Sequence, residues 1–314
     1  MQNIDVVVRE VGLRDGLQIH PTFMPTGSKV AWIEAEAAAG VREIEVTSYV
    51  PPKLIPQFAD AEEVTRRALA VPGLTVAALI PNSKGAERGL ALGVHKLNFV
   101  MSVSKTHNLK NVRREREESV ADFARIVELV KAQPPGRRPR IVGGLSTALG
   151  CSFEGRIPVA DVVKYALLLA EAGADELVVA DTVGYADPAQ VRAVFKAVMG
   201  QTGTLPVAAH FHDTRGTGLA NVVAALDCGV RSFDASLAGL GGCPFAPGAT
   251  GNIVMDDLCF MLDSMGLTTG VDLEKLLQVR RIVREALPDI EMQGALARAG
   301  LPRNYVRADA RRAA

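Results

Sequence analysis

Residue types able to do chemistry recur at the ends of short apolar runs. Arg14-Asp15 follows the first run, Glu45 lies in the second, Asp181 closes the sixth, and the seventh carries His210-Phe211-His212. Side chains alternate across a strand, so histidines two apart share a face and can bind one ion through neutral imidazole nitrogens. Asp15 is the carboxylate able to join them, and Asp213 could orient a ligand from outside. A hydrogen-bonded pair of core histidines accounts for the His-x-His spacing equally well. Two histidines with oxygen donors, and no cysteine in the strand, suit a six-coordinate ion with open positions. That means Mg2+ or Mn2+ rather than closed tetrahedral zinc, with Zn2+ or Co2+ as substitutes.

The segment Gly239–Gly251 holds five glycines and two prolines around Cys243. Glycine permits strained turns and hinge motion, and a thiol with an ordinary pKa of about 8.5 can carry a proton to a bound substrate. A phosphate-cradling loop in which the cysteine only fills space has the same composition.

The elements that would position these groups alternate regularly. Strand candidates are 5–11, 42–48, 75–81, 96–102, 140–146, 176–182, 207–213 and 232–238. Helical patterns separate them at 28–39, 60–70, 83–92, 117–131, 158–172, 188–199 and 219–228, followed by 252–265 and 272–287. Asp187-Pro188 reads as an N-cap with proline at the first helical position, and Gly40, Gly93, Gly173 and Gly229 fit left-handed helix ends. Eight strands buried on both faces imply a parallel sheet, and eight βα units close into a (β/α)8 TIM barrel, class α/β. An open doubly wound sheet would want GxGxxG in the first βα turn, which instead reads EVGLRDG. The expectation is one catalytic domain over 1–314, with the barrel at about 4–266 and a short helical extension at about 267–314. Catalytic groups belong at the strand C-terminal ends.

Bulk properties narrow the function. Lys plus Arg equals Asp plus Glu at 35 each, so no basic field attracts nucleic acid or an acidic membrane. No apolar run is long enough to cross a bilayer, and no signal pattern opens the chain, so a cytoplasmic protein is expected. Cys151, Cys228, Cys243 and Cys259 form no CxxC pair and are expected as reduced thiols.

Five segments then resemble one family. EVGLRDGLQ (10–18), IEVTSYVPPKLIPQ (44–57), DTVGYADP (181–188), HFHDTRGTGLAN (210–221) and SLAGLGGCPFAPGATGN (236–252) are similar to 3-hydroxy-3-methylglutaryl-CoA lyases. The resemblance implies metal-dependent cleavage of (3S)-3-hydroxy-3-methylglutaryl-CoA to acetyl-CoA and acetoacetate, a step of leucine degradation. It implies Asp15, His210, His212 and Asn252 as metal ligands, with Arg14 stabilising the enolate oxygen and Arg14 and Gln18 contacting the substrate. Glu45 and Asp181 would support the metal site and proton traffic, His210 would be the base with Asp15 second, and Cys243 would close over the substrate. Barrels of this kind commonly dimerise, so a homodimer or higher homo-oligomer is expected.

The chain departs from the family pattern at Leu13, Ile19, His20, Phe211, Arg215 and Asp256. Ile19 and His20 are expected beside the acyl site and keep open a longer or branched 3-hydroxyacyl-CoA. An acetyl-CoA-dependent synthase is disfavoured by the short C-terminal region, and a non-catalytic barrel by the intact ligand set. The basic run Lys105–Arg114 is expected to be a solvated face in preference to a contact for CoA phosphates. His95 and Trp32 are expected to be structural, Cys228 and Cys259 buried, and Cys151 able to line the mouth.

Overall fold

The structure, a computed structural model, describes residues 4–242 and 251–313. Cys243 therefore lies outside the described residues. Eight parallel strands close into a barrel in chain order. They are β1 (Val7–Glu10), β2 (Glu43–Ser48), β3 (Thr75–Ile80), β4 (Lys96–Ser102), β5 (Arg140–Ser146), β6 (Glu176–Asp181), β7 (Val207–Phe211) and β8 (Ser232–Ala235). The barrel closes where β8 meets β1, with Val7 opposite Ser232 and Glu10 opposite Ala235. All eight expected strands are present, β4 and β5 with the expected bounds and the other six trimmed at one or both ends.

Helices α1 (Thr26–Ala38), α2 (Ala61–Leu69) and α3 (Ser83–Leu92) follow the first three strands. After β4 come two helices, α4 (Lys105–Val112) and α5 (Arg116–Lys131). Then follow α6 (Val159–Ala172), α7 (Pro188–Thr202), α8 (Gly218–Asp227), α9 (Met255–Ser264) and α10 (Leu273–Ala286), with short α11 (Ala295–Ala299) and α12 (Ala308–Ala313). The Asp187 side chain accepts the Ala189 and Gln190 amides, so the expected cap forms. Helix α9 begins at Met255, not at Asn252, because Asn252 pairs instead with His212 in an isolated antiparallel bridge.

Strand alternation decides what faces inward. Along β7 and β8, Phe211 and Phe233 are fully buried outside the barrel wall, Phe211 against Phe195 of α7 at 6.1 Å between ring centroids. His210 and Asp234 alternate with them and point inward. The lower interior is ionic. Arg9 of β1 pairs with Asp234 (2.6 Å) and with Glu176 of β6, while Lys96 of β4 pairs with Glu43 of β2 (2.6 Å) and Glu176 (2.9 Å). Two cations and three carboxylates from five strands thus form the floor on which the mouth rests. Trp32 packs in the core at 0% exposure and His95 Nδ1 accepts the Val76 amide, so both are structural as expected.

Candidate active site

The chain leaves β1 through a π-helical turn, Gly12–Gly16, in which the Leu17 amide reaches back to the Gly12 carbonyl (2.9 Å). Such turns are rare and concentrate at functional sites. Here the turn presents Arg14 and Asp15 side by side at the mouth. Arg14 Nε donates to Glu45 and its Nη1 to Asp15 Oδ1 (2.6 Å), so two carboxylates fix the guanidinium. Gln18 donates to the same Asp15 oxygen at 2.9 Å. Glu45 also accepts from Asn98 of β4 (2.8 Å), and the β2–β3 register shifts between Glu45 and Thr47, a bulge beside the site.

Asp15, His210 and His212 are all buried, and each offers a ligand atom within 4.8 Å of the others. His212 Nε2 is 3.4 Å from Asp15 Oδ2, and Asn252 Nδ2 donates to that oxygen at 2.7 Å. The other amide atom of Asn252, Oδ1, is buried and accepts no hydrogen bond among the described residues. A buried carbonyl oxygen without a donor, beside a carboxylate and two imidazoles, suits a divalent cation. Gly241 is needed for this approach. Its φ is 135°, and a side chain there would overlap Asn252 and press on Asp15.

The electrostatics agree with a cation site. Burial alone would raise Asp15, but the Arg14 guanidinium and the hydrogen bond and charge of His212 hold it well below the usual carboxylate range. Burial likewise opposes charging His210, yet the hydrogen bond and charge of Asp234 raise it. His210 Nδ1 lies 3.2 Å from Asp234 Oδ2, whose other oxygen accepts from Arg9. That contact leaves Nε2 for a ligand bond.

These groups open onto a cavity of about 550 Å3, within the range of ligand sites. Arg14, Asp15, Gln18, Glu45, His210 and His212 line it. Lys110, Asn111, Arg113 and Arg114 line the cavity too.

Residues 5–283 match the HMGL-like family. The chain belongs to that family. It is 41% identical over 282 residues to a hydroxymethylglutaryl-CoA lyase of Bacillus subtilis, spanning 90% of this chain and 93% of the relative. The mitochondrial hydroxymethylglutaryl-CoA lyase of Mus musculus is 39% identical, over 90% and 86%. Among solved structures, an HMG-CoA lyase from Acinetobacter baumannii in complex with coenzyme A and 3-methylmalate matches with a TM-score of 0.90. That protein is 40% identical, and the match covers 98% of this chain and 99% of the other. The carboxyl transferase domain of Rhizobium etli pyruvate carboxylase, at 18% identity and a TM-score of 0.69, shares the fold alone.

Within this HMGL-like barrel several expectations change. Ile19 is exposed and His20 binds the Thr22 backbone, and neither lines the cavity, because the π-turn carries the chain away from the mouth after Gln18. Asp213 accepts the Gly218 amide and holds the turn entering α8, so the carboxylate behind His210 is Asp234 instead. Cys151 is fully buried, its thiol donating to Ser104 Oγ at 3.1 Å, and it does not line the mouth. Cys259 is buried as expected, whereas Cys228 is only partly covered. The basic run contributes to the cavity wall where a solvated face was expected. Asp181 accepts the Tyr185 (2.9 Å) and Ala186 (3.1 Å) amides, and burial raises its proton affinity; only its neighbours Ala180 and Thr182 reach the cavity. Asp234 was missed by sequence reasoning, although an acidic residue inside an apolar strand (SFDA) is itself a signal.

Proposed function

We propose that this chain is a divalent-metal-dependent carbon–carbon lyase that cleaves 3-hydroxy-3-methylglutaryl-CoA to acetyl-CoA and acetoacetate. The observation that carries the reading is the buried Asp15–His210–His212 set with the orphan Asn252 oxygen, beside Arg14 at one cavity in a chain of this family. Asp15, His210, His212 and Asn252 would hold Mg2+ or Mn2+, which when bound would lower the pKa of a substrate hydroxyl.

The chain's own groups supply the rest. The C3 hydroxyl loses its proton to a base, the C2–C3 bond breaks, and the electron pair moves into the thioester as an enolate. Protonation of C2 then gives acetyl-CoA. Arg14, pinned by Glu45 and Asp15, presents its remaining N–H groups to the enolate oxygen, and one such preorganised donor is worth about 3–4 kcal/mol. His210 cannot serve as both ligand and base. With Nδ1 on Asp234 and Nε2 on an ion it has no free nitrogen, and Asp15 is too weakly basic. The proton traffic therefore falls to Glu45, on the cavity wall, while Asp181, held by the Tyr185 and Ala186 amides outside the cavity lining, supports the end of β6. Cys243 directly follows Gly242 in the sequence and is proposed as the acid returning a proton to C2.

The longer-chain alternative loses its support, because the two residues that suggested it do not line the cavity. The test is acetyl-CoA and acetoacetate release from the purified protein with Mg2+ or Mn2+, and with EDTA. Metal-dependent release of both products is expected; bound metal without product would overturn the substrate.

A further inference from the structure

Behind the strand ends, away from the cavity lining, three carboxyl side chains are completely buried: Glu10 at the end of β1, Glu36 on α1 and Asp256 in the first turn of α9. Glu10 spans two segments. Its Oε1 accepts the amide of Gly12, which opens the turn bearing Arg14 and Asp15. Its Oε2 accepts the amide of Leu237 (2.9 Å), at the root of the segment leading to Gly241 and Gly242. Asp256 faces the next amide, Ala238, at 3.4 Å, and its second oxygen pairs with Arg280 of α10 at 2.6 Å. Gly12 admits no side chain here, since a Cβ would lie 2.6 Å from both Glu10 Oε1 and Ser236 Oγ.

Glu36 is the odd member. Neither of its oxygens receives a donor among the described residues. The Trp32 indole N–H is near but outside hydrogen-bond geometry. Among the described residues, the ionisable groups facing Glu36 are Glu10 from β1 and Asp256 and Cys259 from α9; Arg280, the cation paired with Asp256, is also engaged by the Gln293 carbonyl. A carboxylate in such a place has no source of stabilisation, whereas a neutral carboxyl can donate its O–H to Glu10. One proton held on Glu36 leaves both oxygens of Glu10, itself raised to about 7 by burial, as acceptors for the two amides.

We propose that Glu36 is a proton-carrying positioning residue, whose neutral carboxyl donates to Glu10 so that the pair locks the Arg14–Asp15 turn to the root of the glycine segment. The inference deepens the metal-site reading above and rests on it only for the meaning of that register. Burial, then the charge of Glu10, pushes Glu36 well above the usual carboxylate range. The folded state therefore keeps a proton that the unfolded chain releases near pH 4.3, so stability falls as pH rises from there through the folded value. Ionised Glu36 would place a second full charge beside Glu10 and part the two segments.

The test uses the metal-free protein with Glu36→Gln, Glu36→Ala and Glu10→Gln, read by infrared spectroscopy, by melting temperature against pH, and by Mn2+ titration calorimetry. At neutral pH the wild type is expected to show a protonated-carboxyl stretch that Glu36→Gln lacks, and a steeper loss of melting temperature than Glu36→Gln as pH rises from about 4.3. Glu36→Ala is expected to weaken Mn2+ binding about tenfold, with Glu36→Gln recovering most of it because the amide N–H replaces the acid O–H; Glu10→Gln, left with one oxygen for two amides, stays weak. If Glu10→Gln or Glu36→Ala does not fold, the infrared band and the pH slope of Glu36→Gln still decide. A wild-type band and slope in Glu36→Gln would overturn the proposal. None of these readouts involves turnover, so a wrong substrate would leave them unchanged.

Discussion

Asp234→Asn isolates one atom-level claim about the site. In the native protein Asp234 Oδ1 accepts from Arg9 Nε (2.6 Å) and Oδ2 faces His210 Nδ1 (3.2 Å). An asparagine can satisfy only one of these. With its oxygen toward Arg9, its NH2 confronts Nδ1, which must then become an acceptor; the imidazole proton moves to Nε2, the nitrogen needed for the ion. With the amide flipped, NH2 meets Arg9 donor to donor. Either way a charge-assisted hydrogen bond of about 1.5–3 kcal/mol is lost. Partners of this kind typically set metal affinity by about 10–100-fold, or roughly 1.4–2.7 kcal/mol. The floor itself should survive, because Arg9 and Lys96 would remain matched by Glu43 and Glu176. The assay is Mn2+ titration calorimetry beside circular dichroism. A native spectrum with Mn2+ affinity within threefold of wild type would refute the role given to Asp234.

Arg14→Gln should lower kcat by about 10²–10³ while changing Mn2+ affinity less, since the lost donor acts on the developing enolate; near-normal turnover would sink its assignment. Gly241→Ala should abolish Mn2+ binding with the fold intact by circular dichroism, because φ is 135° and the added carbon overlaps Asn252. The double change Lys110→Ala and Arg113→Ala should raise KM for the acyl-CoA about tenfold at low salt with kcat little altered, at roughly 1 kcal/mol or less per exposed charge. An unchanged KM would return that run to the solvated-face reading.

Short apolar runs separated by helical patterns made the eight strands legible, and the residues at their C-terminal ends carried Arg14, Asp15, Glu45, His210 and His212 with them. What sequence concealed has specific causes. Arg9 and Asp234 are 225 residues apart, and only barrel closure makes them neighbours, so the buried ionic floor has no local pattern. The π-turn looks like any βα turn in EVGLRDGLQ, yet its i→i+5 hydrogen bond turns Ile19 and His20 outward where a shorter loop would have left them at the mouth. Asp213 was read as a partner of the histidines because it follows them. The strand has already ended at Phe211, and Asp213 serves the next helix. Asn252, implied as a ligand by the resemblance, stands beside Asp15, and its bridge to His212 replaces the first turn of the helix expected there.

The floor also explains why the histidine strand is held as it is. Buried ion pairs contribute little net stability, but breaking one by removing a single partner costs about 3–5 kcal/mol. Lys96→Met would do this. Lys96 is 1% exposed and serves both Glu43 and Glu176, so its loss leaves two carboxylates to compete for Arg9. Burial would raise Glu176, yet Arg9 and then Lys96 bring it below its ordinary value, so in the wild type its stabilisation is present above the unfolded pKa of about 4.3 and lost as pH falls below it. In Lys96→Met that stabilisation shrinks, and the variant should be about 3–5 kcal/mol less stable at pH 7 with the gap narrowing toward pH 4, as Glu176 takes up its proton. Urea unfolding of both proteins at the two pH values measures it. A deficit independent of pH would mean that Lys96 acts by packing alone. A deficit that narrows in acid would assign the charge on Glu176 as the quantity Lys96 balances. Arg9 would then be the link by which an imbalance at β4 and β6 reaches Asp234 and the orientation of His210.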